Sequence, residues 1–206
     1  MKENNWFDPF YIQSHLSEEE SNIQKNVRDF CNNELKPTVV ERNRKNEFDK
    51  ELYPKFGSLG VLGQTVKTHG GSGTSNLAYG LVAYEFEKID SSYRSSISVQ
   101  SSLVIHPINE FGSQEQKDKY LPQLIKGEKI GCFGLTESEA GSDPASMKTS
   151  FKKTKDGYIL NGSKNWITNA PIADIFIIWA VEENKDHKSI KGFIIEKNTA
   201  GLNTSK

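Results

Sequence analysis

The spacing of apolar positions divides the chain near residue 130. Upstream of it the pattern is helical. Ile23, Val27, Phe30 and Leu35 recur at helical spacing. Just ahead of them, Ser17 and Glu20 read as a capping box, in which serine and a glutamate three residues on satisfy the first free N–H groups. A short helix is predicted after Phe48, with Leu52, Phe56 and Leu59 apolar, closing in the glycines at 57, 60 and 63. Thr74 or Ser75 caps the next, whose apolar stripe includes Leu77, Leu81, Tyr84, Phe86 and Ile89. The serine-rich stretch 91–105 continues helically up to Pro107. Ser113 and Gln116 form a second candidate capping box before a helix carrying Tyr120, Leu121 and Leu124.

Downstream the period shortens. Gly131 to Thr136 is a brief apolar run. Asp156-Gly157 sits between alternating segments and predicts a tight hairpin turn, and Asn161-Gly162 offers a second. Ile175 to Val181 and Gly192 to Glu196 read as strands. Helices followed by antiparallel strands predict an α+β, multidomain chain, with an all-α domain over 1–130 and a β-domain over 131–206. The last strand lies close to the chain end, and a sheet stopped there leaves an open edge of the kind proteins normally cover. The expectation is a truncated β-domain.

Composition narrows the function classes. Eleven Phe, seven Tyr and three Trp in 206 residues supply a core, so an ordered chain is expected. A formal net charge of -1 gives no global electrostatic case for nucleic acid or a membrane surface. No apolar run is long enough to span a bilayer. Cys31 and Cys132 are far apart, with no CxxC pair, which suits a reducing compartment. The N-terminal stretch carries Glu3 and Asp8 and no long apolar run, so neither a secretory nor a transit leader is expected. A cytoplasmic location follows as the expectation, or the mitochondrial matrix in a eukaryote.

Several motifs admit a bland reading and a functional one. Gly70-Gly71-Ser72-Gly73 lacks the Gly-Lys-Ser/Thr ending of a phosphate loop and follows no clear strand, so it reads as a turn. His15, His69, His106 and His187 have no neighbours at metal spacing, and no metal site is expected. Asn161-Gly-Ser and Asn203-Thr-Ser match the glycosylation sequon by chance. Thr136-Glu-Ser-Glu-Ala-Gly-Ser-Asp143 is a turn of small and hydroxyl residues, either an ordinary loop or a cradle for phosphate or a heterocycle edge. Trp166-Ile167-Thr168 is either core filling or a stacking platform with a hydroxyl beside it. Arg94 stands alone among Ser91, Ser92, Ser95, Ser96 and Ser98; it either pairs with Asp90 four residues back or clasps a ligand carboxylate.

Taken together, these segments resemble the acyl-CoA dehydrogenase family. Cys132-Phe-Gly-Leu-Thr-Glu-Ser-Glu-Ala-Gly-Ser-Asp-Pro144 is similar to that family's flavin signature, and Leu160-Asn-Gly-Ser-Lys-Asn-Trp-Ile-Thr-Asn169 to its second flavin segment. Leu121-Pro-Gln-Leu-Ile-Lys-Gly-Glu128 resembles its usual lead-in, and the likeness runs from about residue 6 to the end. Asp90-Ser-Ser-Tyr-Arg-Ser-Ser-Ile-Ser-Val-Gln-Ser-Ser-Leu-Val-Ile-His-Pro107 looks like the glutaryl-CoA branch.

The resemblance implies FAD as cofactor. Phe133, Leu135 and Thr136 would line and bond the flavin ring, Gly141 and Ser142 would serve the pyrophosphate, and Ser142 would also lie near CoA. Trp166, with Ile167 beside it, would pack on the isoalloxazine, and Thr168 would bond near its N5 edge. Arg94 and Ser95 would hold the distal carboxylate of a glutaryl-CoA substrate. One departure is Ser138, where the family usually has proline. The implied reaction is α,β-dehydrogenation followed by loss of CO2 to give crotonyl-CoA, with electrons leaving to an electron-transfer flavoprotein and a homotetramer in the full-length family. The resemblance places the catalytic base beyond Lys206, together with a C-terminal helical domain, and assigns no catalytic residue within the chain. Two alternatives stand beside this: a non-catalytic flavin or CoA-ester binder, and another short-chain acyl-CoA dehydrogenase.

Overall fold

A computed structural model describes residues 8–205. The N-terminal stretch read for a leader lies partly outside the described residues. Helix α1 (Glu18–Phe30) opens with the expected box, Ser17 accepting from the Glu20 N–H and Glu20 from the Ser17 N–H. It passes into a π-helical turn, Cys31–Leu35. Then come α2 (Val39–Lys45), α3 (Leu52–Ser58) and α4 (Asn76–Glu87). Ser75, rather than Thr74, caps α4 by accepting from the Ala78 N–H; the Thr74 hydroxyl instead donates to the Gln64 carbonyl at 3.3 Å. The predicted α4 stripe is only partly internal. Leu81 and Phe86 are buried, but Leu77 and Tyr84 face outward at 47% and 50% exposure. α4 is apolar nearly all round, so periodicity could not choose its face.

Helix α5 (Ser91–Ser98), a π-helical segment Val99–Ile105 and α6 (His106–Phe111) form one continuous rod. It does not stop at Pro107, as expected from sequence. The His106 N–H bonds back to the Ser101 carbonyl, five residues away. The widened turn falls just ahead of Pro107, which has no N–H to give to the helical ladder. Helix α7 (Gln114–Ile125) begins with the second expected box, Ser113 with Gln116.

The buried centre of this helical part is aromatic. Phe56 and Phe86 meet edge to face at 5.4 Å, and Phe30 leans on both. Full burial of a ring such as Phe56 or Phe86 contributes on the order of 1.5–3 kcal/mol. Where α3 meets the end of α7, only glycine fits: a Cβ at Gly57 would lie 2.1 Å from the Lys126 carbonyl oxygen. Gly57→Ala is therefore expected to destabilise the protein by about 1–3 kcal/mol through forced separation of backbones, read as a lower urea midpoint at unchanged slope.

The sheet holds β1 (Gly131–Gly134), β2 (Ser150–Lys153), β3 (Tyr158–Asn161), β4 (Ile175–Glu182) and β5 (Lys191–Glu196). It is mixed rather than wholly antiparallel. β2–β3 and β4–β5 are antiparallel, as expected, whereas β1 and β2 both run parallel to β4. The segments between those parallel partners are long enough for the chain to travel back before pairing, which removes the hairpin constraint. The Asp156-Gly157 hairpin forms, closed by the Thr154 N–H on the Gly157 carbonyl at 2.9 Å. The second one does not. Gly162 instead presses past Thr149, where a Cβ would come within 2.5 Å of the hydroxyl, and the chain runs on as a loop to β4.

The two parts are joined by a buried side chain that sequence reasoning missed. Gln100, in the π segment and fully buried, donates to the carbonyls of Leu124 and Lys129, both at 2.9 Å. Its Oε1 accepts the Gly131 N–H at 2.8 Å, fixing β1 against the helical rod.

Candidate functional site

Strand β1 delivers the first candidate segment. Beyond Gly134, Leu135 and Thr136 are half-buried and Glu137 is buried. Glu137 and Ala140 exchange backbone hydrogen bonds at 3.1 and 3.2 Å, which close the turn around Ser138 without a proline. Gly141, Ser142 and Asp143 then stand exposed, and a Cβ at Gly141 would meet nothing within 4 Å.

The second segment lies alongside. The Asn165 N–H donates to the Thr136 carbonyl at 2.9 Å. Lys164 Nζ donates to the Leu135 carbonyl at 3.0 Å and to Glu137 Oε1 at 2.7 Å. Trp166 follows with φ of 61°, a left-handed backbone that non-glycine residues adopt rarely and at a cost. Its side chain is 92% exposed, so the core-filling reading is ruled out. Asn169, also left-handed, donates from Nδ2 to the Gly131 carbonyl at 3.1 Å.

Trp166, Ile167 and Thr168 line a wide open groove together with Ile178, Ile194 and Leu202. Phe133, Leu135, Thr136, Gly141 and Ser142 lie outside that groove. Phe133 is half-buried and meets Trp179 edge-on at 5.9 Å. Of the expected flavin residues, then, three share one concavity, and the Asn165 N–H and the Lys164 side chain, just ahead of them, tie their segment to Leu135, Thr136 and Glu137.

Arg94 and Ser95 sit apart, on α5. Arg94 does not pair with Asp90. Asp90 caps the helix by accepting the Ser92 N–H at 2.8 Å, which turns it toward the helix start. Arg94 Nε instead donates to Glu87 Oε2 at 2.7 Å, and its Nη1 to the Ser98 hydroxyl at 3.4 Å. The guanidinium beside it holds the Glu87 carboxyl below its ordinary value. Arg94 keeps 38% of its side chain exposed. Glu87 was invisible to sequence reasoning because it lies seven residues back, across the break between α4 and α5.

The remaining candidates settle blandly. His69 contacts Thr68 and Asp118, and the glycines at 70–73 form a loop closed by backbone bonds to Thr68 and Val66. Among the described residues, no group of three or more His, Cys, Asp or Glu side chains could hold a metal ion. No helix among them is long and apolar enough to cross a membrane.

Two family profiles match in tandem: acyl-CoA dehydrogenase, N-terminal domain, over residues 17–128, and acyl-CoA dehydrogenase, middle domain, over 132–206. The chain belongs to the acyl-CoA dehydrogenase family. A glutaryl-CoA dehydrogenase from Mycobacterium smegmatis, solved in complex with FADH2, is 41% identical with a TM-score of 0.89, covering 93% of this chain and 49% of that one. A butyryl-CoA dehydrogenase from Megasphaera elsdenii is 40% identical with a TM-score of 0.83, covering 90% and 50%. An acyl-CoA dehydrogenase from Bacillus subtilis is 38% identical, covering 93% of this chain and 51% of its own length. The chain thus spans about half the length of the relatives it matches.

Acyl-CoA dehydrogenases are FAD-dependent oxidoreductases, and the residues present here fit that cofactor. An exposed indole held on a strained backbone offers a face for a planar ring, and the exposed Thr168 offers a hydroxyl for its polar edge. Gly141 and Ser142 leave open, polar room for phosphate.

Proposed function

We propose that this chain supplies the flavin-facing and acyl-facing parts of an FAD-dependent dehydrogenase acting on glutaryl-CoA. In this reading the product also loses its distal carboxylate as CO2, leaving crotonyl-CoA, and electrons pass to an electron-transfer flavoprotein. Assembly as a homotetramer belongs to the same proposal, as does a reducing, cytoplasmic-type compartment, which suits two free, buried thiols.

The supporting observation is Arg94. It is a half-exposed guanidinium among serines, with part of its donor fork still available beyond Glu87 and Ser98. A carboxylate-bearing acyl tail gives that fork a partner; an uncharged tail does not. Ser95, half-buried one residue on, would add a hydroxyl. A bound FAD would supply the acceptor for the hydride that leaves the substrate β-carbon. Trp166 would cover one face of the ring, Thr168 would bond its edge, and Ser142 would reach phosphate. The α-proton requires a base within reach. Glu137 is already committed to Lys164 and two backbone N–H groups, and Glu139 to Lys148. The base in this proposal is a glutamate outside residues 1–206.

A short-chain monocarboxylic substrate is the competing reading, favoured by the fact that Glu87 already neutralises Arg94. Arg94→Ala separates the two. In protein purified with FAD, glutaryl-CoA affinity is expected to fall about 10- to 100-fold, the worth of a charge-assisted bond pair, with butyryl-CoA affinity changed less than about threefold. The measurement is titration of the flavin absorption band with each ester. Equal losses for both esters would make Arg94 structural. A protein that retains no flavin at all would defeat the dehydrogenase reading of this chain.

A further inference from the structure

We propose that the buried Glu137–Lys164 ion pair is a positioning clasp that sets the two flavin segments against each other and holds Trp166 in its strained pose. The proposal rests on the flavin reading of those segments. Lys164 lies on the wall of the same groove as Trp166, Ile167 and Thr168, but its ammonium is spent on Glu137 and the Leu135 carbonyl rather than offered to a ligand. Lys164 acts through the backbone on either side of it.

Both side chains are nearly inaccessible, at 7% for Lys164 and 9% for Glu137. Both carboxylate oxygens and the ammonium are engaged. Glu137 Oε1 accepts from Lys164 Nζ at 2.7 Å and from the Thr149 N–H at 3.0 Å; Oε2 accepts the Lys148 N–H at 2.7 Å. Lys164 Nζ also donates to the Leu135 carbonyl at 3.0 Å and reaches Met147 Sδ at 3.9 Å. Its aliphatic stem lies along β1, where a Cβ on Gly134 would come within 3.3 Å of the Lys164 Cγ. Three separate stretches therefore meet at one pair: 135–137, 147–149 and 163–165. The Asn165 bond to the Thr136 carbonyl and the Thr149 hydroxyl bond to the Ser163 carbonyl, at 3.3 Å, complete the junction.

A buried ion pair is a poor way to gain stability, because desolvation of both charges offsets most of their attraction. An apolar filling would hold three loops together as well. It would not fix the Leu135 carbonyl and the 148–149 N–H groups in one orientation, which directional, charge-assisted bonds do. What that orientation serves is nearby. Trp166, two residues after Lys164, keeps a left-handed backbone, and such a conformation persists only where its surroundings over-determine it. Lys164 and Asn165 anchor its N-terminal side, and the Asn169 side-chain bond to Gly131 anchors the other.

The test compares Lys164→Met and Lys164→Arg with the unaltered full chain, by amide hydrogen exchange without flavin and by FAD titration. In Lys164→Met, exchange is expected to quicken about ten- to hundredfold across 135–137 and 163–169, with peptides from β4 unchanged. FAD affinity is expected to drop by a similar factor, the range seen when a group that orients a binding shell is lost. Lys164→Arg, which keeps charge and donors, is expected to recover part of both. Unchanged exchange in the two segments overturns the clasp, as does an equal rise in every peptide, which would mark a general structural residue. Unaltered protein that binds no FAD would sink the flavin reading; a variant that binds FAD as tightly as the unaltered chain would sink the clasp alone.

Discussion

Replacing Gln100 with leucine is expected to destabilise the protein by about 2–5 kcal/mol, enough to lower the melting temperature by roughly 5 °C or more. The size of the effect comes from what is left behind. Leucine has nearly the volume of glutamine, so little cavity opens. Two backbone groups lose the bond that Gln100 makes to them, however, the Lys129 carbonyl and the Gly131 N–H, while the Leu124 carbonyl falls back on the Gly127 N–H at 3.2 Å. Gln100 is fully buried, so water cannot take its place. Each buried group left unpaired costs about 1–3 kcal/mol. Thermal unfolding by circular dichroism gives the answer, with Glu110→Ala on the exposed face of the same rod as control, expected to stay within about 0.5 kcal/mol. A loss no larger than the control's would mean that the helix–strand junction reorganises freely. The consequence for function is direct. Gln100 is the tie between the rod that carries Arg94 and the strand that leads to Thr136, so loosening it disconnects the acyl end from the flavin end.

The difference between what was legible in the sequence and what was not follows the range of the interactions. Ser17 with Glu20 and Ser113 with Gln116 sit three residues apart, and such boxes form locally whatever the tertiary structure does. The Asp156-Gly157 hairpin was readable for the same reason. The long Ile175–Glu182 strand was readable too, because it is apolar enough to be buried from both sides. The site segments around Thr136 and Trp166 announced themselves by composition. Their tie did not, because Glu137 and Lys164 are 27 residues apart and each alone looks like a solvated charge. Arg94 stands out by its small, uncharged surroundings, but its protein neighbour does not: helical spacing offers Asp90, which the capping geometry has already taken, while Glu87 lies across a helix break. The parallel pairing of β1 and β2 with β4 was hidden as well. Strand patterning shows which residues face a core and says nothing of which way a neighbour runs.

Glu137 also sets an expectation for acid. Burial pushes its carboxyl upward, but Lys164, the Thr149 side chain and the 148–149 N–H groups outweigh that and hold it down to about 2, from an ordinary value of 4.5. A carboxylate whose folded value is depressed contributes stability that is complete above its unfolded value and is lost as pH falls toward the folded one. The window here is pH 4.5 down to about 2. A shift of that size corresponds to roughly 3 kcal/mol, at about 1.4 kcal/mol per pH unit. Glu137→Gln is therefore expected to be markedly less stable than the unaltered chain at pH 7, and the gap should narrow steadily below pH 4.5. Other carboxyls held low, such as Glu85 beside Arg28, are common to both proteins and cancel in the difference. Urea unfolding at pH 7, 4 and 3 measures it. Two stability curves that stay parallel through that range would show that the Glu137 proton is bound equally in the folded and unfolded chains, and that its bonds to Lys164 and the backbone do not distinguish carboxylate from acid.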